Sequence, residues 1–323
     1  MTVSRRRFLS LGVGAFVVLT LPASLRRMSR QARRSVPVMG TIADLVVVDP
    51  DEAKAQEAID AAIRELRWVE RTMSHFRADS DVGRANLHAA ADAVPVTAAT
   101  AIVLKASLRW AELSDGRFDP CLGRATALWN VGERRMPPDA SETRRFAGER
   151  LYRELEVDRW RGDHVVRFRS DAVSIDLGGI AKGYGVDRAV RALRERGVKN
   201  ALVNAGGDLY AIGRSENGDR WEIGIRDPRD PRRLTSTLRV SDRALATSGD
   251  YFQYFDHGGR RYHHLIDPAT AEPARSDLHS ITIAADSCMA ADAGGTAVFG
   301  CGLKEGRRNL ARAAPGAEIV HTA

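Results

Sequence analysis

The chain has 323 residues, 44% of them hydrophobic and 28% charged, which is ample material for a soluble core and excludes both wholesale disorder and a polytopic membrane protein. Lys and Arg number 49 against 42 Asp and Glu, a net charge of +7 that taken alone suggests a nucleic-acid or membrane-surface partner. The first acidic residue is Asp44, however, and the eight arginines before it (Arg5, Arg6, Arg7, Arg26, Arg27, Arg30, Arg33 and Arg34) leave 41 basic against 42 acidic side chains in the rest, so the body is neutral and a nucleic-acid partner loses its support.

Ser4-Arg5-Arg6-Arg7-Phe8-Leu9-Ser10 runs into a charge-free apolar stretch, residues 11–23. That is the order of an export signal, and paired arginines before Phe-Leu look like the twin-arginine type, which implies a periplasmic protein delivered already folded. The apolar run is shorter than the ~20 residues that span a bilayer. An uncleaved signal would tether the protein at the inner membrane. Residues 1–35 are therefore assigned to the signal and an Arg-rich linker (25–35), and residues 36–323 to one folded domain. Cys121, Cys288 and Cys301 lack metal-ligand spacing and read as buried thiols.

Residues 45–48 read as a buried strand after Met39-Gly40-Thr41. Ile59, Ala62, Ile63, Leu66, Val69 and Met73 recur at helical spacing, with Glu57, Asp60, Arg64 and Arg67 on the solvated face. A second helix is predicted over 98–113, closed by Ser114-Asp115-Gly116. Residues 123–132 read as loop and 141–152 as helix; strands are expected at 165–168 and 173–176, then a helix over 180–196 stopped by Gly197. Further strands are expected at 202–204, 209–212, 221–225, 238–240, 244–247 and 281–285, and helices at 290–299 and 305–313. Irregular interleaving with sequential strands argues α+β with a largely antiparallel sheet.

Three stretches could carry chemistry. Asp176-Leu177-Gly178-Gly179-Ile180-Ala181-Lys182-Gly183-Tyr184-Gly185-Val186-Asp187 is a strand end with a carboxylate, a Gly-Gly turn and a helix start bearing an ammonium. Such a start suits a pyrophosphate, although the spacing is neither a Walker loop nor a dinucleotide fingerprint, and a tight strand-to-helix turn is the plainer reading. In Asp292-Ala293-Gly294-Gly295-Thr296 the carboxylate and hydroxyl stand at i and i+4 and could share a hard cation such as Mg²⁺; the alternative is a dipole-favoured Asp and a back-bonded Thr. The glycines between them hint at a close approach. In Tyr262-His263-His264-Leu265-Ile266-Asp267-Pro268 at most one imidazole can point inward, because adjacent strand residues face opposite sides.

In their order, Met39-Gly40-Thr41, Ser74-His75-Phe76-Arg77-Ala78-Asp79-Ser80, Gly116-Arg117-Phe118-Asp119-Pro120, residues 176–187, Asn204-Ala205-Gly206-Gly207-Asp208, Thr247-Ser248-Gly249, His264-Leu265-Ile266-Asp267-Pro268 and Ala291-Asp292 together resemble the ApbE family of FAD:protein FMN transferases. The resemblance covers essentially everything after the leader. It implies a tunnelling-fold-like single α+β domain with a mixed, largely antiparallel sheet, and an enzyme that attaches FMN from FAD covalently to threonine in other proteins, releasing AMP. It places FAD among Met39, Phe76, Arg117, Phe118, Asp119, Asp176, Lys182 and His264. It places Mg²⁺ at Gly179, Asp292, Gly295 and Thr296, with His264, Asp292 and Lys182 carrying the chemistry. Its targets would be extracytoplasmic flavoproteins presenting a D-x-x-(S/T)-G-A-(S/T) loop. An FAD pyrophosphatase using water in place of threonine, and a non-catalytic periplasmic flavin-binding protein, are the competing readings. Cys121, Arg124, Ala271, Gly294-Gly295 and Phe76 depart from the residues usual in the family, and none of these changes removes a charged ligand.

Overall fold

The computed structural model describes residues 16–18, 31–148, 150–230 and 232–323. Alternating apolar side chains build a seven-stranded sheet in the order β17 (Glu318–Thr322), β16 (Ser280–Ala285), β11 (Arg243–Gly249), β8 (Asp208–Ile212), β7 (Ala201–Ala205), β3 (Thr41–Val48) and β2 (Gln31–Val38). Every neighbouring pair in it is antiparallel. Along β3, Ala43, Leu45 and Val47 face one core and Val46 the other; Val203 and Tyr210 share the first side, Leu202 and Leu209 the second. β7, β8 and β16 are buried at every position, which marks a sheet covered on both faces.

Helices α1 (Glu52–Met73), α6 (Ala181–Glu195) and α7 (Cys288–Cys301) cover the first face, with α3 (Ala98–Leu113) and α8 (Leu303–Ala313) packed against α7. The predicted α1 stripe from Ile59 to Met73 is buried throughout, and Asp51 and Thr97 cap α1 and α3 through their side chains. A ribbon of β9 (Trp221–Arg226) and β10 (Leu234–Val240) covers the second face, joined by β1 (Phe16–Val18) in antiparallel pairing with β9. Around this core lie α2 (Asp81–His88), a small sheet of β4 (Val94–Val96), β6 (Asp163–Phe168) and β5 (Leu155–Trp160), and α4 (Gly123–Trp129) and α5 (Ala140–Thr143). Two short hairpins follow, β12 (Tyr254–His257) with β13 (Arg260–His263) and β14 (Ile266–Asp267) with β15 (Glu272–Pro273). The result is the single α+β domain expected.

Several local expectations are corrected. The stretch 123–132 is not simply loop: Ala125 and Trp129 bury one face of α4, which ends at Asn130 in the left-handed region. Residues 141–152 hold no continuous helix, because Gly148 (φ 75°) and Arg150 (φ 47°) interrupt it. Residues 173–176 are extended but join no sheet; Ser174 makes a lone parallel bridge to Leu122, and the Asn86 amide pairs with both backbone groups of Ile175.

The linker reading also fails from Gln31 to Ser35, which form β2 in register with Val48 to Asp44. Ala32 is buried there, Arg33 pairs with Asp44, and Arg34 pairs with Asp60. Within the apolar leader stretch, Phe16 is 1% exposed in the second core. The twin arginines and, apart from residues 16–18, the rest of the leader before Gln31 lie outside the described residues. All three cysteines are free, Cys121 and Cys288 buried and Cys301 half-buried, and no helix among the described residues is long and apolar enough to cross a membrane.

Candidate active site

Helix α6 starts without a cap of its own. After Asp176 the turn closes with the Ala181 N–H donating to the Leu177 carbonyl at 2.9 Å, and Ile180, preceding the helix, offers no side-chain acceptor. A helix start leaves N–H groups without partners. One of them, on Gly183, donates to Asp292 Oδ2 at 2.9 Å. In the other direction Asp187, on α6, accepts the Cys288 and Met289 N–H groups of α7 at 2.7 and 2.9 Å. Each helix therefore caps the other. Burial pushes the Asp187 carboxyl up to about 6 against the pull of its two donors. The crossing requires glycine, since a Cβ at Gly183 would lie 2.3 Å from the Cys288 carbonyl oxygen.

Lys182 projects from the same first turn. Its Nζ is 2.7 Å from Asp208 Oδ2 and 3.5 Å from Asp292 Oδ1. Burial opposes the ammonium, but the two carboxylates outweigh it and hold Lys182 charged, its pKa well above the usual lysine range. Burial and the neighbouring Asp292 charge push the Asp208 carboxyl up as well, to about 7, which favours its neutral form. The cluster of one ammonium and two carboxylates is thus short of positive charge.

One turn beyond Asp292, Thr296 faces the Gly-Gly turn: a Cβ at Gly179 would sit 3.0 Å from Thr296 Oγ1 and 3.3 Å from the Phe118 ring. The glycine lets backbone, hydroxyl and ring meet. Among the described residues no three His, Cys, Asp or Glu side chains gather as a metal cluster. A carboxylate, a hydroxyl and backbone oxygen are hard donors, and Mg²⁺ typically takes only one or two carboxylates and keeps several waters. The donor set therefore fits Mg²⁺ and not a thiolate- or imidazole-seeking metal. Gly294 and Gly295 answer to packing: Cβ atoms there would meet Leu310 Cδ1 at 2.8 Å and Ser248 Oγ at 2.7 Å. Gly295 supplies no side-chain donor, and the Ser248 hydroxyl takes up its space.

The other residues expected to contact FAD come from several elements. Met39 and Gly40 make the β2–β3 turn, both in the left-handed region (φ 55° and 68°), which is strained for Met39. Its N–H donates to Glu70 Oε1, and its sulfur packs where a Gly185 side chain would stand. Phe76 is 88% exposed, with its ring centroid 3.9 Å from that of His75. His75 Nδ1 lies 3.4 Å from Asp176 Oδ1. Burial opposes the charge on both groups, yet their pairing wins, raising His75 and lowering Asp176 from their ordinary values. Phe118 is buried under Gly179, and Arg117 is exposed and paired with Asp267 at 3.4 Å. Asp119 is otherwise engaged: its oxygens accept the Cys121 and Tyr152 N–H groups, and burial pushes it up to about 6, so its carboxylate staples a loop.

His264 lies just past the end of β13, so strand alternation does not govern the pair, and the expectation that only one imidazole is turned inward fails: both rings are drawn into the protein. His263 is buried with both nitrogens engaged, by the Ala274 carbonyl and the Leu265 N–H. The buried Nδ1 of His264 has no hydrogen-bond partner. Burial, with the charges of His263 and Lys182, pulls the His264 imidazole down to about 4, so it is neutral and an acceptor near neutral pH. A buried polar atom left unpaired calls for an explanation, and a substrate group is one. Ala271 occupies a left-handed position (φ 53°), where a glycine would be unstrained, and its carbonyl accepts the Trp129 indole N–H.

Sequence reasoning missed Asp208, Ser248 and Asp187 as parts of this centre. Asp208 and Ser248 stood in recognised blocks, but nothing in the spacing pointed either one at Lys182 or Gly295.

Known proteins bear on this arrangement. The profile of the ApbE family matches residues 39–320. A FAD:protein FMN transferase of Vibrio cholerae is 31% identical over 297 residues, covering 90% of this chain and 88% of its own. One of Treponema pallidum is 32% identical over 309 residues, covering 91% and 85%. Among solved structures, the flavin transferase ApbE from Vibrio cholerae superposes with a TM-score of 0.79 at 29% identity, over 90% of this chain and 93% of that one. The ApbE protein from Thermotoga maritima does so with a TM-score of 0.80 at 32% identity, over 90% and 94%.

Proposed function

The chain belongs to the ApbE family and is an FAD:protein FMN transferase, and on that premise we propose that it moves FMN from FAD to a threonine hydroxyl of a target flavoprotein, with Mg²⁺ at Asp292 and release of AMP. The supporting observation is Asp292 itself, a buried carboxylate that joins the start of α6 to an ammonium and lies one helical turn from a hydroxyl facing Gly179. In this reading Asp292, Thr296 and the backbone at Gly179 and Gly295 hold the metal. When bound, Mg²⁺ neutralises pyrophosphate charge and polarises the phosphorus.

The N-terminal turn of α6 receives the pyrophosphate, and Met39, Phe76, Arg117, Phe118 and Asp176 receive the rest of FAD. The acceptor Oγ attacks the FMN-side phosphorus in line, a P–O bond to that oxygen forms, and the P–O bond to AMP breaks. Lys182 stabilises the charge gathering on the phosphate oxygens. His264 takes the hydroxyl proton at its unpartnered Nδ1; its low basicity suits a late transfer, as the oxygen becomes acidic on bonding to phosphorus.

Export through the twin-arginine leader belongs to the same reading, on the strength of Arg5-Arg6-Arg7-Phe8-Leu9. It makes the enzyme periplasmic, or held at the inner-membrane surface if the leader is retained, with targets that are extracytoplasmic flavoproteins bearing the D-x-x-(S/T)-G-A-(S/T) loop. The test is to incubate the full chain with FAD, Mg²⁺ and a candidate FMN-binding domain and weigh the acceptor by intact mass. One added FMN, lost on chelation, in Asp292→Ala and on replacing the acceptor threonine, is expected. Metal-dependent AMP release without acceptor labelling would mean hydrolysis instead, and FAD binding without turnover would mean storage.

A further inference from the structure

Asp208 follows Gly206 and Gly207, both at positive φ, at the β7–β8 turn, and it is 2% exposed. Its distance to Lys182 Nζ, 2.7 Å, is a full hydrogen bond, whereas the 3.5 Å from Nζ to Asp292 Oδ1 is not one. The two Asp292 oxygens are therefore in different situations. Oδ2 is committed to the Gly183 N–H at 2.9 Å, Oδ1 lies 3.5 Å from an ammonium that is hydrogen-bonded elsewhere, and the Asp208 carboxylate is the other charged neighbour of Asp292. A cation at Asp292 would bind through Oδ1, and Lys182 is the group on hand to compete with it.

We propose that Asp208 is a positioning residue that holds Lys182 off Asp292 Oδ1, leaving that oxygen open to a divalent cation while keeping the ammonium beside the pyrophosphate turn. The inference rests on the metal reading of Asp292, and the experiment separates the two. Without Asp208, Lys182 falls back onto Asp292 and becomes an internal competitor for the metal oxygen. The effect of Asp208 then passes through Lys182, so it is a coupling that disappears when the lysine is removed.

The measurement is Mn²⁺ binding to the full chain, followed by electron paramagnetic resonance without FAD or acceptor. Asp208→Asn should weaken binding by ~10–100-fold, the range seen when partners of metal ligands are lost. Lys182→Met should tighten it. In the Lys182→Met background, adding Asp208→Asn should change affinity by no more than about threefold. Asp208→Glu, which keeps the charge, should recover part of the affinity, and thermal unfolding of each variant establishes that it is folded. An equal loss with and without Lys182 would reduce Asp208 to a through-space charge and overturn the proposal, as would weaker binding in Lys182→Met alone. Should Asp208→Asn not fold, the Lys182→Met measurement still decides. Mn²⁺ binding unchanged in Asp292→Ala, or absent from the wild type, would overturn the metal reading and the inference with it.

Discussion

Gly183→Ala sets two physical effects of opposite sign against each other. Helix propensity alone favours alanine over glycine inside a helix by ~1 kcal/mol. The new Cβ, however, would stand 2.3 Å from the Cys288 carbonyl oxygen, 2.6 Å from its carbon and 2.8 Å from Asp292 Cβ. Two of these are backbone atoms at the start of α7, so relief requires the helices to part. Parting strains or breaks the Gly183–Asp292 hydrogen bond and the pair that Asp187 accepts. Overpacking typically costs about 1–3 kcal/mol and a lost cap ~1 kcal/mol. Less the propensity gain, the net is a loss of about 2 kcal/mol, or roughly 4–8 °C in Tm for a domain of this size. Urea and thermal unfolding of the full chain measure it, with FMN transfer assayed on the folded fraction. Gly185→Ala is the control, because its Cβ would meet the Met39 sulfur and a Leu66 methyl, side-chain ends that can yield. A Gly183→Ala protein as stable as wild type, or more so, would refute the mutual-capping account.

Phe76→Ala should leave Tm unchanged, the ring being 88% exposed, while weakening FAD binding by ~2–10-fold as a stacking partner is lost; unchanged FAD affinity by fluorescence titration would remove Phe76 from the FAD contacts. His264 is pulled from 6.5 to about 4 in the folded protein, so the unfolded chain takes up its proton first. Its contribution to stability is then intact above pH ~6.5 and shrinks as pH falls toward 4, by at most ~3 kcal/mol. Tm of His264→Asn should accordingly fall less steeply than wild type between pH 7 and 4.5, and parallel slopes would contradict that burial. Ala271→Gly should be neutral or stabilise by up to ~1 kcal/mol, since it relieves a left-handed alanine; a marked loss in urea unfolding would show that the buried methyl matters more. Phe16→Ala should lower stability by about 3 kcal/mol if the β1 strand is part of the folded core, and indifference to the change would detach that strand from it.

Local periodicity was enough to read α1, α3, α6, α7 and most strands of the main sheet, because each buries a stripe or an alternate face that short spacing reports. The failures share a cause. Residues 173–176 look like a strand, yet their backbone bonds run to the 120–123 loop and, at Ile175, to the Asn86 side chain 89 positions away. The second core takes its cover from β9, β10 and Phe16, so a piece of what reads as pure leader becomes a strand. Among the site residues, the pairing of Asp292 with Thr296 was legible as i and i+4. The partners that give the pair its surroundings, Gly179, Gly183, Lys182 and Asp208, arrive from other elements.

The glycines sharpen this point. Gly294 and Gly295 hint from sequence at a close approach, and they, like Gly183, do permit one, but of protein to protein. The approach at Gly183 brings α6 against α7, and that contact sets Asp292 over the α6 N-terminus. The approach at Gly295 seats Ser248 beneath the turn that carries Thr296. Helix propensity lost at these positions is thus the condition for the site's geometry. It follows that metal affinity and helix packing are linked quantities. A change that loosens the crossing without touching Asp292, such as Asp187→Ala, should weaken Mn²⁺ binding together with Tm, whereas a site assembled from independent parts would lose only stability.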